Sequence, residues 1–158
     1  RIVRVSKDPE FRMFINADEL NKPSCPQLLQ LRSDNAIYFA NAEYTMDHIL
    51  KRLDEHKTPI KFLLLDYQAV GFIDVTGVVE LRALNEELKT RCIRLALMGV
   101  KSPVKKVFVS SGFMDELEPT LFIENRGEAI TVLFPSLLHE YCKRLCPHQL
   151  FYECPDKK

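Results

Sequence analysis

The chain has 158 residues, with 22 basic and 22 acidic side chains, so its formal net charge is zero and it lacks the basic excess that usually accompanies nucleic-acid binding. Hydrophobic residues make up 46% of the chain and charged residues 28%, a composition typical of one folded domain with a sizeable core. No apolar run approaches the roughly 18 residues of a membrane-spanning helix, and no signal peptide is visible.

The first 26 residues predict a linker with edge-strand character. Apolar residues at positions 2–5 and 12–15 indicate two short strands, and a run rich in proline and polar residues follows them. The chain begins with Arg1 rather than Met, which indicates a piece of a longer protein. In such a protein, this segment would join the preceding part of the chain to the domain.

Two short apolar runs follow at 27–31 and 36–40, and the turn formers at 32–35 separate them. This pattern predicts an antiparallel hairpin at the edge of a sheet. Asn41 then stands where a helix N-cap is expected, ahead of an amphipathic pattern over 42–56. We therefore expect the hairpin to lead directly into the first helix.

The stretch at 61–88 predicts a buried strand, a short loop and a helix. Four consecutive apolar residues at 62–65 are typical of a strand that is covered on both faces. Gly71 lies in the loop, where it is free to take backbone angles that other residues avoid. Asp74 stands at the N-cap of the helix, where its carboxylate suits both the free N–H groups and the helix dipole.

The C-terminal half predicts a strand, a short helix, a last strand and a long final helix. We expect the strands at 93–98 and 121–124, and the short helix at 104–111, where Gly112 ends it. Pro135 lies inside the apolar stripe of the final helix, which runs to about residue 145. A proline at that place predicts a kink or a break.

Strands that alternate with helices predict an α/β fold, with a central, mostly parallel sheet, an antiparallel edge hairpin and four to five flanking helices. We divide the chain into a linker and edge-strand segment at 1–26, a domain proper at 27–146 and a mobile C-terminal tail at 147–158. No internal repeat or low-complexity segment is evident, so a single domain accounts for the whole pattern.

No set of residues predicts catalysis, since the chain has no Walker loop, nucleophile elbow or H-E-x-x-H motif and its four histidines are scattered. Asp66 follows a buried strand, where α/β enzymes often place acids, but we interpret it as a polar residue leaving the strand. The pattern Cys142-x3-Cys146-x-His148-x5-Cys154 has zinc-type ligands but no common finger spacing, so we interpret its cysteines as reduced thiols. We therefore expect no enzyme activity, metal or cofactor.

Two motifs carry a resemblance to a known family. Asp74-Val75-Thr76-Gly77, after a strand and at the start of a helix, looks like an Asp-Ser-Ser/Thr-Gly turn, and residues 37–44 read IYFANAEY. Both resemble STAS domains, which occur as anti-sigma-factor antagonists and as the cytoplasmic tails of SulP anion transporters (solute carrier family 26). The IYFANAEY run is typical of the SulP tails and is the more specific signal.

The resemblance implies a non-catalytic STAS domain at the cytoplasmic face of a membrane, as part of an integral SulP-type transporter of sulfate, bicarbonate, chloride or a dicarboxylate. Such a domain would regulate transport through contacts with protein partners, either the transporter's own transmembrane domain or cytosolic regulators. A free-standing module like the anti-sigma-factor antagonists is the alternative interpretation. A small α/β enzyme is a third, which rests on the fold class alone.

The turn made by Asp74, Val75, Thr76 and Gly77 is the candidate regulatory site for an anion or a partner. The alternative is a well-capped helix in which Gly77 only allows close packing, and the resemblance favours the regulatory site. Helix N-termini attract anions, but the charge of Asp74 repels phosphate, so we expect at most weak nucleotide binding. In the antagonist family the residue after the Asp is a phosphorylated serine, whereas Val75 has no hydroxyl. We expect Thr76 to pack on the strand, so we predict constitutive docking of a partner on the helix at 75–88 and the preceding loop.

Overall fold

The computed structural model describes residues 2–7, 14–16 and 23–155, in which six strands form one sheet. The strands are β1 (Ile2–Lys7), β2 (Phe14–Asn16), β3 (Leu28–Ser33), β4 (Phe62–Asp66), β5 (Arg94–Met98) and β6 (Phe122–Ile123). The α-helices of the described residues are α1 (Ala42–Asp54), α2 (Val75–Thr90), α3 (Ser102–Ser110), α4 (Phe113–Glu116), α5 (Ala129–Leu133) and α6 (His139–Arg144). Single 3-10 turns lie at Pro119–Leu121, Arg126–Glu128 and Phe134–Ser136.

The sheet has the order β2-β1-β3-β4-β5-β6, and its last four strands are parallel. β1 lies antiparallel between β2 and β3. Ile2 pairs with Ser33, so the start of β1 lies at the carboxyl ends of the parallel strands. The mostly parallel α/β sheet with an antiparallel edge is therefore confirmed. Of the second predicted strand, residues 12 and 13 lie outside the described residues.

The predicted hairpin of residues 27–31 and 36–40 is wrong. The first run forms β3, but the second makes only one isolated bridge, in which Ile37 pairs with Ile73 in parallel. β1 occupies the position beside β3 that the second run would need. Asn41 instead holds the residues after Ala36 in a turn. The antiparallel edge is supplied instead by β1 and β2, which come from the predicted linker.

Alternate side chains of the strands face two separate cores, because helices or loops cover both faces of the sheet. The first core lies between the sheet and α1, α2 and α3, and the second lies between the sheet, α5 and the C-terminal segment. The residues of β3, β4 and β5 in the first core are Leu29, Leu31, Leu63, Leu65, Leu95 and Leu97, and those in the second are Leu28, Phe62, Leu64, Ala96 and Met98.

The central prediction is confirmed, because β4 is buried at every position and α2 begins directly after Asp74. α3 begins at Ser102, two residues earlier than expected, and ends before Gly112. Gly112 has a φ of 78°, the left-handed conformation that glycine adopts most easily. Gly71 does not use its conformational freedom, since among glycines of the described residues only Gly99 and Gly112 have a positive φ.

The predicted final helix is interrupted. α5 ends at Leu133, a 3-10 turn contains Pro135, and α6 begins at His139. Proline lacks an N–H and its ring collides with the preceding helical turn, which explains the break. This interruption, together with the one-turn helix α4, gives six α-helices in the described residues instead of the expected four to five.

The C-terminal segment packs on the second core over its described residues, 147–155. The side chains of Leu150 and Phe151 are only 8% and 6% exposed, and they contact the cluster that α5 also covers. The expected mobile tail is therefore wrong for these residues, because Leu150 and Phe151 are buried in the second core. Residues 156–158 lie outside the described residues.

Candidate regulatory surface

The carboxylate of Asp74 joins two parts of the chain at the start of α2. Its Oδ1 accepts a hydrogen bond from the backbone N–H of Gly77 at 2.8 Å, which caps the helix as predicted. Its Oδ2 accepts a second bond from the N–H of Phe39 at 2.9 Å, although Phe39 lies 35 residues earlier in the chain. Asp74 therefore holds the loop after β3 against the helix that follows β4.

Backbone hydrogen bonds fasten the same two segments together. The N–H of Ile37 donates to the carbonyl of Phe72 at 2.9 Å, and the N–H of Asp74 donates to the carbonyl of Ile37 at 3.1 Å. These bonds flank the isolated bridge between Ile37 and Ile73. The two motifs that carry the family resemblance, far apart in the sequence, thus form one structural unit.

Gly77 allows this unit to close. A Cβ atom on Gly77 would lie 2.6 Å from Cγ1 of Ile73 and 2.8 Å from the carbonyl oxygen of Ile37. Real Cβ atoms essentially never approach other atoms so closely, so a side chain at this position would force the two loops apart. The glycine of the turn is thus required by the close approach of the loop after β3.

Asn41 shapes that loop, and its side chain does not cap α1. Its Oδ1 accepts a hydrogen bond from the N–H of Tyr38 at 3.0 Å, and its Nδ2 donates to the carbonyl of Ala36 at 2.8 Å. α1 does begin after Asn41, as predicted, but no side-chain bond from Asn41 reaches the first turn of the helix. The amide instead holds a turn that directs Phe39 outward, where its side chain is 76% exposed.

An exposed apolar patch surrounds this unit. The exposed fractions are 76% for Phe39, 53% for Phe72, 73% for Val75 and 51% for Val79. Phe39 bonds to Asp74, Val75 follows Asp74 in the chain, and Val79 lies one turn further along the same side of α2. Contiguous exposed apolar side chains mark sites of interaction with other molecules. We name these four residues the turn surface.

Val75 is the only residue of the turn surface that the sequence analysis named as a site residue, although the predicted docking region, the helix at 75–88 and the preceding loop, also contains Val79 and Phe72. Phe39 lies inside the IYFANAEY run, and Phe72 lies two residues before the helix cap. Both residues lie in loops and are exposed. Val79 falls outside the apolar stripe of α2. Apolar residues that fit no predicted core face are therefore the signal that would have found the patch.

Val75 and Thr76 are both exposed at the first turn of α2. The expectation that Thr76 packs on the strand is wrong, because Gly77 is the residue that faces Ile37. Burial therefore gives no reason to exclude modification of the Thr76 hydroxyl. The negative charge of Asp74 still opposes a phosphate bound at this helix terminus.

Asp66, the acid at the end of β4, belongs to the fold. Its side chain is 1% exposed, pairs with the guanidinium of Arg126, and accepts a bond from the N–H of Gln68 at 3.0 Å. A buried carboxylate needs such partners, so the ion pair accounts for it without catalysis. Across the described residues, no three histidine, cysteine, aspartate or glutamate side chains are arranged to hold a metal ion.

Two substitutions of Asp74 distinguish its two hydrogen bonds. Asp74→Ala removes the helix cap and the bond to Phe39, so we expect the free energy of unfolding to fall by about 1–3 kcal/mol. Asp74→Asn keeps one oxygen for Gly77 but loses the second acceptor, so we expect a smaller loss of about 0.5–1.5 kcal/mol. Denaturant titrations measure both values. A midpoint that does not change in Asp74→Ala would rule out the cap.

A sequence model described as the STAS domain matches residues 19–129 of the chain. Sulfate transporter 3.1 of Arabidopsis thaliana is 29% identical over an alignment of 132 residues that covers 77% of this chain and 20% of the transporter. The chain thus spans about a fifth of the length of such relatives.

Two of the solved structures that share the fold have low sequence identity to the chain. The murine solute carrier 26 family member A9 anion transporter, in its inward-facing state, has a TM-score of 0.73 and 14% identity, over 85% of this chain and 22% of that chain. The anti-sigma factor antagonist SpoIIAA, unphosphorylated, has a TM-score of 0.51 and 13% identity, over 74% of this chain and 96% of that chain. These likenesses confirm the STAS fold. No helix in the part of the chain that the structure describes is long and apolar enough to cross a membrane.

Proposed function

Since this chain belongs to the STAS domain family, we propose that it is the cytoplasmic regulatory domain of a SulP-type secondary anion transporter and has no catalytic activity of its own. The relatives that support the proposal are sulfate transporters, so sulfate is the first anion to test, followed by bicarbonate, chloride and dicarboxylates. Transport itself would take place in a membrane part of the protein outside this chain. The division of the chain at residues 26 and 146 remains a prediction.

The turn surface is the observation that carries this proposal. Its four apolar side chains are exposed on a turn that Asp74 and the backbone bonds of Ile37 hold in place. A partner that covers such a patch buries apolar area without first having to order a loop, which favours binding. We infer that a protein partner docks here, either the transporter's own transmembrane domain or a cytosolic regulator.

Docking at the turn surface requires no phosphate on the residue after Asp74, because Val75 has no hydroxyl. We therefore propose that the contact is constitutive. The alternative function, a free-standing module of the anti-sigma-factor antagonist type, is favoured by the likeness to 96% of the SpoIIAA chain. In that case the exposed Thr76 is the hydroxyl nearest to the switch position. Stoichiometric phosphate on Thr76 that changes partner affinity, detected by mass spectrometry, would favour the alternative.

The test of the proposal is sulfate uptake by the full-length protein in cells that lack uptake of their own. We expect Phe72→Asn combined with Val75→Asn to change the uptake rate by about tenfold or more, because two interface contacts of about 1 kcal/mol each are lost and no hydroxyl is introduced after Asp74. The matched control combines Val109→Asn with Leu145→Asn, which lie outside the turn surface and are 59% and 68% exposed. The control should leave uptake unchanged.

Two further measurements make this result interpretable. Thermal melts of the 158-residue chain should show that both double variants remain folded, since all four side chains are exposed. Surface labelling should show normal amounts of each variant at the membrane. Normal uptake by the turn-surface variant, at a normal surface level, would contradict the proposal.

A further inference from the structure

A cavity of about 250 Å³ lies beside the C-terminal end of α2, between this helix, the start of β5 and the end of α4. The turn surface lies at the other end of the same helix, so binding in the cavity does not depend on the docking proposed above. Pockets that hold drug-sized ligands have volumes of about 300–1,000 Å³, so this cavity suits a smaller molecule.

Asn85 lines this cavity from a position where the helix pattern favours an apolar residue. The buried face of α2 includes Val78, Leu81 and Leu88, and Asn85 continues their spacing at an exposure of only 6%. Its side-chain amide has no hydrogen-bond partner among the described residues, and the amide is not sealed inside the core. An amide that loses water without gaining a partner lowers the stability of a fold. The amide therefore leaves both a donor and an acceptor available to a molecule in the cavity.

The wall around Asn85 is apolar. Buried side chains from the start of β5 and from the residue after α4 form it, namely Ile93, Leu95 and Leu117. Such a wall favours a ligand that has an aliphatic part, because contact with it removes apolar surface from water.

The opening of the cavity carries two cations and two carboxylates, all of them half-exposed, which are Lys89, Arg94, Glu116 and Glu118. Arg94 donates two hydrogen bonds to the carboxylate of Glu118, at 2.9 and 3.1 Å, and Glu116 pairs with Arg82 at 2.6 Å. The formal charges of the four side chains at the opening cancel. The opening therefore favours a ligand with one positive and one negative group over an ion of a single charge.

We propose that this cavity binds a free α-amino acid with an aliphatic side chain of about the size of leucine. The Nδ2 of Asn85 donates to the carboxylate of the ligand and its Oδ1 accepts from the ammonium group, so one amide bonds to both ends of the zwitterion. The two cations at the opening attract the carboxylate, and the two glutamates attract the ammonium group. The apolar wall covers the aliphatic side chain of the ligand.

The experiment is an NMR titration of the purified, isotope-labelled 158-residue chain with L-leucine. We expect the side-chain amide of Asn85 and the backbone amides of Ile93 and Leu117 to shift saturably, with a dissociation constant of about 0.1–1 mM, as suits a ligand this small. The backbone amide of Val75, on the turn surface, should not shift. The absence of a saturable shift up to about 10 mM L-leucine would overturn the proposal.

Two further probes, each with half of the leucine head group, test the class of ligand. Isocaproate lacks the ammonium group and isoamylamine lacks the carboxylate, whereas both keep the aliphatic part of leucine. We expect each to bind at least about tenfold more weakly than L-leucine, because half of the Asn85 amide and one pair of charges lose their partner. Binding of either probe as tight as that of L-leucine would contradict the assignment to amino acids.

Asn85→Leu keeps the branched shape of the side chain and removes its polar atoms. Because the amide bonds to no described residue, we expect the melting temperature to stay the same or rise, while the shifts of Ile93 and Leu117 with L-leucine are lost. The matched control is Asn125→Leu, which removes an amide outside the cavity and should leave L-leucine binding unchanged. A melting temperature that falls by several degrees in Asn85→Leu would assign the amide to the fold, and leucine shifts that persist in this variant would show that the amide does not bind the ligand. Either result would overturn the proposal.

Discussion

Leu64→Ala should lower the free energy of unfolding by about 2–5 kcal/mol, the loss typical of a leucine removed from a packed core. Leu64 is 0% exposed and lies in the middle of β4, the strand that is buried at every position. Its register neighbours are Gln30 on β3 and Ala96 on β5, and neither can move from its strand to fill the cavity. Domains of this size are stable by about 5–15 kcal/mol, so the loss is a large fraction of the total.

The loss is measured by denaturant titration, in which the midpoint should fall while the slope stays constant. Leu145→Ala is the matched control, since it removes the same atoms from a side chain that is 68% exposed. We expect that control to change stability by less than about 0.5 kcal/mol. If Leu64→Ala were as stable as Leu145→Ala, β4 would not be the central strand.

Gly77→Ala should lower the free energy of unfolding by about 1–3 kcal/mol, even though alanine is the better helix former by about 1 kcal/mol. The new methyl would lie 2.8 Å from the backbone oxygen of Ile37, which cannot rotate away as a side-chain end can. That oxygen also accepts the N–H of Asp74 at 3.1 Å, so moving it weakens a further hydrogen bond. The loop after β3 must therefore shift away from α2.

Gly71→Ala is the matched control for Gly77→Ala. A Cβ at Gly71 meets nothing within 4 Å, and its φ is not in the left-handed region. We expect this change to be neutral or to stabilise the fold by about 0.4–1 kcal/mol, because it restricts the unfolded chain. Thermal melts resolve the two variants, since about 1 kcal/mol corresponds to about 2–4 °C for a chain of this length. A melting temperature of Gly77→Ala at or above that of Gly71→Ala would show that the two loops are not in close contact.

Features that depend only on neighbouring residues could be predicted from the sequence. Four consecutive apolar residues at 62–65 require cover on both faces in any fold, and Asp74 before an apolar helical pattern signals a cap wherever the helix packs. Gly112 and Pro135 likewise end helices through their own backbone chemistry. The turn at Asp74 could also be identified from the sequence, because its four residues are consecutive in the chain.

Which distant segments contact one another depends on the packing of the whole chain and could not be predicted from local patterns. Residues 36–40 and β1 are both short apolar runs that could pair with β3. In the structure β1 pairs with β3, because strand pairing depends on packing across the whole sheet more than on the propensity of one segment. The bond from Phe39 to Asp74 spans 35 residues, so no local pattern contains it. The contact between the loop after β3 and the start of α2 covers only one side of the Asp74 turn. Gly77 faces that loop and is buried, whereas Thr76 is exposed. The packing of Phe151 on the second core has the same origin, because periodicity shows which side chains are apolar but not which surface will bury them.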